Sequence, residues 1–483
     1  MKKKLAIFIL SILIFIFFII FFIPKLFSTK LISNYLAKKT EKKFDAKVQI
    51  GLVNFSWLGP QVFKNTTYSD KNLDLSFDLF SSNISLYAFY KSIKSFDQLK
   101  LFSYTEINNL NVTFHYPNLP ESKIFNVFAK SSKPSSDTTN ISITGKALEN
   151  KYSGNFSITA ELKNDSINAN INAMDLPTIG IDSFLFYNNI KFRGTLISLL
   201  GPNMNLKASL NLKNKEGPIS VDITSTNAKI FANMNLEKSN LTLNEPLVAT
   251  FYLSGINPVL FDQITYSKSI SNPIVLKVSN VNFSMPANFE NLKKTQLENC
   301  FLDLGKILVS NTGPISTLTR FAKLSSSSKV SLWFTSANIK IQNQVIYTDR
   351  VDILIDDSLH ICVWGKIDLR SETLDMNLGI TKDALEDIFN IRNLPENYVI
   401  KVPIRGSVNK PKIDTSSLSA KILALSAMQS KKGIGALIGG IVSKVTEDKD
   451  IPPAKKPFPW EGSVKKSPSS PRLDLDSFFD LFK

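Results

Sequence analysis

The chain has 483 residues, of which 20% are charged and 43% hydrophobic, so it carries enough apolar material for a core and is not a mostly disordered polymer. A formal net charge of +16 invites a nucleic-acid reading, but the lysines are scattered as singlets and pairs, with short runs only at Lys2–Lys4 and around Lys38–Lys43; no clustered phosphate-binding patch follows. Two cysteines, Cys300 and Cys362, and two histidines, His115 and His360, lie without ligand spacing, so no metal motif is present and at most one internal disulfide is possible.

Residues 1–4, MKKK, form a short charged stub. From Leu5 to Ile23 the sequence LAIFILSILIFIFFIIFFI carries no charge and matches the ~20 apolar residues a helix needs to cross a bilayer. Leu5, Ile7, Phe8, Phe15 and Phe22 are representative side chains of this expected anchor, residues 5–24. The stub resembles the start of a secretory signal, yet the apolar run exceeds the usual ~7–15 residues and Pro24-Lys25-Leu26-Phe27 lacks a small-x-small cleavage site, which favours an uncleaved span. Lys25, Lys30, Lys38 and Lys39 rival the N-terminal lysines, so charge alone does not orient it.

Over residues 25–44, Leu31, Ile32, Tyr35 and Leu36 recur at helical spacing and predict a juxtamembrane helix. The period then changes to two, and residues 45–414 read as a strand-rich body bounded by Asn, Asp, Gly and Pro turns. Phe156, Ile158, Ala160 and Leu162 alternate with polar residues, Asn164-Asp165 turns the chain, and Ile167, Ala169, Ile171 and Ala173 follow, predicting a hairpin with one apolar face. The same alternation continues through Leu206, Ala208 and Leu210, and reappears at Ala337, Ile339 and Ile341. The expected fold class is mainly β: a long antiparallel, curved sheet with few helices, the latter near 259–264, 315–321 and 381–391. Such a sheet must have its apolar face covered by a second sheet, closure, helices or a ligand, so a filled sandwich and an open groove both stay possible.

Residues 415–445 predict a helix over 416–430, followed by GIGALIGGIV at 433–442, which is too short to span. Residues 446–483 have the Lys, Pro and Ser composition of a disordered tail without a core, ending in LDLDSFFDLF (Leu473–Phe482), a candidate motif for envelope protein partners. No nucleophile elbow, P-loop, zinc-protease or dinucleotide-binding pattern occurs, so no enzyme and no cofactor is expected. Asn-x-Ser/Thr triplets, among them Asn65, Asn111, Asn140 and Asn155, are what a chain rich in these residues produces by chance.

The segment KKFDAKVQIGLVNFSWLGPQVFKNTTYSD (Lys42–Asp70) resembles the N-terminal signature of the AsmA-like family, with Val48, Ile50, Val53 and Trp57 at its apolar positions and Asp45-Ala46 where a glycine–arginine pair is usual. VPIRGSVNKPKID (Val402–Asp414) and WGKIDLRSETLDMNLGI (Trp364–Ile380) are similar to the family's closing segments. The resemblance implies a single-pass bacterial inner-membrane protein with residues 1–4 in the cytoplasm, its body in the periplasm and an apolar trough for phospholipid acyl chains, serving phospholipid transport or outer-membrane biogenesis. On that reading Phe156, Ile158, Ile167, Ile171, Leu206, Leu210, Ile339 and Ile341 are the candidate lipid-facing residues. The alternative is an envelope assembly factor with a filled sandwich that acts through protein partners.

Overall fold

The computed structural model describes residues 24–25, 28–87, 104–115, 121–181 (except 136, 150 and 179), 195–252, 273–426 (except 312, 322–323, 325–326, 408–409, 415–417, 419 and 423) and 450–462. The anchor expected at 5–23, the helix expected at 259–264, the apolar run 433–442 and the motif 473–482 lie outside them. Among the described residues no helix is long and apolar enough to cross a membrane. The protein is mainly β, built of open antiparallel sheet with few helices, and it divides into two compact units, Met1–Ser225 and Thr226–Lys483.

The first unit opens with α1 (Lys30–Phe44), whose last turn carries Lys42 and Lys43, where cations suit the helix dipole. Asp45 ends it in the left-handed conformation, φ 52°, and its N–H bonds back to the Glu41 carbonyl. Left-handed backbone is the conformation glycine adopts without strain, and Asp is among the few other residues that tolerate it. Ten strands follow: β1 (Lys47–Asn54), β2 (Gln61–Ser69), β3 (Leu73–Ser82), β4 (Thr105–Phe114), β5 (Ser122–Ser132), β6 (Thr139–Glu149), β7 (Tyr152–Leu162), β8 (Ser166–Pro177), then helix α2 (Thr195–Leu200), β9 (Asn203–Lys213) and β10 (Gly217–Ser225). Each pairs antiparallel with the next in sequence, the meander that the alternation predicts.

A meander this long keeps one apolar face only if irregularities do not flip it, because a one-residue slip exchanges the two faces of a strand. Positive-φ residues at Asn109, Asn126 and Asp175 absorb the extra residues, each at a register shift. Neighbouring asparagines satisfy the displaced backbone: the Asn126 N–H donates to Asn111 Oδ1 at 3.0 Å and the Asp175 N–H to Asn205 Oδ1 at 2.9 Å. Part of the asparagine content therefore serves the bulges.

The second unit departs from a simple meander. Its strands are β11 (Ala228–Glu237), β12 (Asn240–Leu243), β13 (Leu247–Phe251), β14 (Ile274–Val278), β15 (Met285–Pro286), β16 (Leu297–Asp303), β17 (Lys306–Ser310), then α3 (Gly313–Phe321), β18 (Lys329–Phe334), β19 (Ala337–Gln342), β20 (Val345–Ile355), β21 (Leu359–Asp368), β22 (Thr373–Thr381), α4 (Lys382–Asp387), β23 (Val399–Ser407) and β24 (Lys410–Ile413). Long β20 serves two partners along one edge, β19 over Val345–Thr348 and β18 over Ile353–Ile355, while β21 to β24 continue from its other edge.

Alternate residues of β20–β23 build a closed core: Ile353, Ile355, Leu359, Ile361, Leu378, Ile380, Ile400 and Val402 pack with Leu318 of α3, Ala384 and Leu385 of α4, and Leu418, Ile422 and Leu425 of the following helical segment. The expected helix over 381–391 forms only as α4, with Thr381 as its N-cap, its hydroxyl accepting from the Ala384 N–H at 3.5 Å, and buried Ile388 as its C-cap, its N–H donating to the Ala384 carbonyl; Ile391 stays buried beyond the helix. Residues 450–462 correct the expectation of a tail without a core. Phe458 and Trp460 are buried, with Leu354, Trp333 and Ala454 in the same cluster, and Ile451 packs on Cys362, Trp364 and Val399. Pro- and Lys-rich composition resembles a linker, but two aromatic rings at i and i+2 supply enough apolar surface to hold a short extended strap against a sheet.

Candidate functional site

In the first unit the inward positions of β6–β10 align across the strands. Ile143 pairs with Ile158, Ile158 with Ile171, Ile171 with Ala208 and Ala208 with Val221; parallel to this row run Phe156, Ala173, Leu206 and Ile223, and Leu162, Ile167, Leu212. The structure thus brings six of the candidate lipid-facing residues, Phe156, Ile158, Ile167, Ile171, Leu206 and Leu210, onto one face. Most of this face is only half-buried: along it Ala173, Met204 and Leu212 are buried, while Ile167 is exposed and the remaining isoleucines and leucines are intermediate. At its β5–β7 corner it is filled, since the Phe156 ring lies over Gly145, where a Cβ would come within 2.7 Å of the ring and 2.9 Å of Val127. Toward β1–β3 it continues as an aromatic series, Phe55–Phe63 at 5.8 Å and Phe63–Phe80 at 6.0 Å. A hollow of about 410 Å³ on the opposite face is lined by Lys130, Asn140, Ser142, Thr159, Asn168 and Asn170, with Ile141 and Ala160 adding apolar surface between these hydrogen-bonding groups.

Ile339 and Ile341 belong to the second unit and to its packing. Both lie against the cluster of Leu243, Val278, Leu297 and Cys300, and Ile339 also meets the main core. Cys300 and Cys362 are free and buried, and burial pushes their thiols up to about 11 and about 12.

Sequence reasoning did not find a second site, on the face of β20–β22 beneath the strap. Arg350 and Asp352 sit two residues apart on β20 and His360 on β21, all three buried. Arg350 clamps the Asp352 carboxylate, with Nη2–Oδ1 at 2.6 Å and Nε–Oδ2 at 3.0 Å, and donates through Nη1 to the Pro452 carbonyl of the strap at 3.3 Å. His360 presents Nε2 to Asp352 Oδ1 at 3.0 Å and Nδ1 to Asp383 Oδ2 at 3.1 Å, while Phe458 and Trp460 stack on each other and meet its ring edge-on at 4.8 and 5.3 Å. The two carboxylates approach opposite nitrogens of one ring, so no point lies within reach of all three groups. Among the described residues no grouping of His, Cys, Asp and Glu could hold a metal. The signal for this site was present as charged and polar residues alternating inside otherwise apolar strands, DRVDILI and LHICVW, together with the aromatics of PFPW.

With an acceptor at each nitrogen, only the doubly protonated imidazole donates to both. Burial opposes the charge, yet the hydrogen bonds to Asp352 and Asp383 prevail and raise the His360 pKa above its ordinary value. Burial likewise opposes ionised Asp352, and the bonds from His360 and Arg350 bring its pKa below the ordinary one. A raised histidine contributes stability that is present below its unfolded pKa and lost as pH rises through the folded one; a lowered aspartate contributes stability that is present above its unfolded pKa and lost as pH falls through the folded one. Amide-exchange protection of residues 450–462 is therefore expected to decline as pH rises above the ordinary histidine value of about 6.5, and to lose that decline in His360→Gln. Protection that stays flat in the unsubstituted protein would refute the assignment.

Comparison of the chain with family models, curated proteins and solved structures gave no match.

Proposed function

We propose that the protein is a non-enzymatic, membrane-anchored envelope protein whose first unit holds lipid acyl chains against the apolar face of β6–β10. One observation carries this reading: the row of Ile143, Ile158, Ile171, Ala208 and Val221 and its neighbours stay half-exposed, whereas the apolar core built by β20–β23 in the second unit is covered by α3, α4 and the Leu418–Leu425 segment. Contiguous apolar surface of this extent marks an interaction site. Five strands at ~4.8 Å spacing span roughly 20 Å, more than half the ~30 Å hydrocarbon thickness of a bilayer, and each methylene removed from water gains ~0.8 kcal/mol. The face therefore has room for one or more acyl chains and the chemistry to retain them, while the Asn- and Thr-rich opposite face stays wet. The apolar run at 5–23 and the AsmA-like segments at Lys42–Asp70 and Val402–Asp414 support placement at a bacterial inner membrane with the body in the periplasm. Asp45 in left-handed backbone, where that family has glycine, fits the same reading. Phospholipid transport or outer-membrane biogenesis is the role such a trough would serve.

Purification in mild detergent followed by native mass spectrometry is expected to detect bound phospholipid, and a protein that is lipid-free under these conditions would overturn the proposal. The closed second unit favours a second role beside it, that of a scaffold whose strap and helices give partners a rigid surface.

A further inference from the structure

One edge of the first unit carries large apolar side chains set out into solvent by a rigid support. Leu58, at the tip of the β1–β2 turn, is 89% exposed, Leu31 in the first turn of α1 79%, Tyr87 after β3 70% and Trp57 36%. The turn is held from within by Gln61, fully buried, whose Nε2 donates to the carbonyls of Ser56, Gly59 and Ile84 at 2.7, 2.8 and 2.9 Å and whose Oε1 accepts from the Ser56 N–H at 3.1 Å. The Leu86 N–H donates to the Trp57 carbonyl, and the Phe55 N–H donates to Ser28 Oγ at 2.7 Å. These bonds gather the β1–β2 turn, the chain after β3 and the start of α1 at one place.

The segments gathered there carry lysines and no acid, and Glu106, opposite Ser81 on β4, is the carboxylate that borders them. Residues 24–40, 54–69 and 79–87 contain no Asp or Glu, whereas Lys25, Lys30, Lys38 and Lys39 fall among them. On α1 the exposed residues Leu31, Tyr35, Lys38 and Lys42 recur at helical spacing and share a side. Other turns on the same edge of the sheet carry Asp137, Asp165 and Glu216, so the apolar, acid-free character is confined to the β1–β3 end. The uncharged run Leu5–Ile23 leads directly into this end through residue 24. Aromatic and aliphatic tips on segments that carry lysines and no acid are the composition suited to the boundary between acyl chains and anionic headgroups.

We infer that this edge is a foot that seats on the surface of an anionic lipid bilayer, with Leu31, Leu58 and Tyr87 in the acyl–headgroup boundary and Lys30 and Lys38 on headgroup phosphates. The inference rests on the membrane-anchored reading above and deepens it. Strands β2, β4, β6, β8 and β10 all begin at this edge, so a seated foot would turn the corresponding ends of the apolar face toward the bilayer from which acyl chains come.

The test uses the full chain in vesicles of phosphatidylcholine with and without phosphatidylglycerol, carrying an environment-sensitive fluorophore at Leu58→Cys or at Lys71→Cys. Lys71 lies in the β2–β3 turn at the other end of the same strands, roughly 30 Å away at ~3.3 Å per residue. Buried Cys300 and Cys362 do not compete for the label, and both sites are exposed, so folding is preserved. The label at 58 is expected to shift to the blue and to be quenched by nitroxide-bearing lipid, the label at 71 to do neither. Lys30→Glu with Lys38→Glu is expected to reduce the quenching at 58 in the anionic vesicles. If the protein floats with the vesicles but the label at 58 behaves like that at 71, the foot is overturned and the anchor stands. If the protein does not float with them, both fall.

Discussion

Asp352→Ala is expected to lower the stability of the second unit by about 3–5 kcal/mol, a fall in Tm of roughly 6–20 °C for a unit of this size. The magnitude follows from what the substitution leaves behind. Asp352 is 0% exposed and is the shared acceptor for Arg350 and His360, which are themselves buried. Its removal leaves buried Arg350 without a carboxylate, bonded to the Pro452 carbonyl alone, and His360 with Asp383 on only one of its two nitrogens. Charges lost to solvent cost far more unpaired than paired, so the damage should exceed that of truncating an exposed pair such as Lys366–Asp375. The converse variant separates electrostatics from packing: replacing Arg350, Asp352 and His360 together by Met, Leu and Phe removes every charge at once and should recover most of the loss. Thermal unfolding followed by tryptophan fluorescence reports both, since Trp333 and Trp460 lie 6.3 Å apart beside the site. A loss below about 1 kcal/mol for Asp352→Ala would mean that the network is screened like a surface pair.

The two sites differ in how much of each could be read from the residues. The face of β6–β10 was legible because it is half-exposed: wet and dry positions alternate strictly, and period two is visible only when one side meets water. In β20 and β21 both faces are covered, one by α3, α4 and the Leu418–Leu425 segment, the other by the strap, so Ile353-Leu354-Ile355 and Ile361-Cys362-Val363 read as continuous apolar runs that do not reveal which side is which. The strap escaped because composition averages over residues 446–483, while docking is decided by Phe458 and Trp460. The pairing of β20 with both β18 and β19 was not legible either. Alternation marks strands but not partners, and non-consecutive pairing is selected by how the two faces pack in three dimensions. The bulges at Asn109, Asn126 and Asp175 hide for a different reason, since Asn and Asp are so common here that no single one signals left-handed backbone.

Ile158→Lys combined with Ile171→Lys is expected to abolish phospholipid retention while leaving the first unit folded. The two isoleucines are directly opposite each other on β7 and β8, at the centre of the half-exposed face. Lysine at a half-exposed strand position can run its methylenes over the sheet and keep its ammonium in water, so the fold tolerates it. A bound acyl chain has no such freedom: it must either desolvate the ammonium groups or give up the surface they cover. Losing about four methylene contacts at ~0.8 kcal/mol each is ~3 kcal/mol, or roughly a hundredfold in affinity. Thr159→Lys with Asn170→Lys supplies the matched control, because those residues form the next cross-strand pair, on the polar face, and add the same charge to the same strands. Lipid content after purification, measured against the unsubstituted protein, should fall in the first double variant and hold in the second. Equal retention in both would show that the lipid is carried elsewhere, and equal loss would point to net charge; either result removes the apolar face of β6–β10 as the acyl-binding surface.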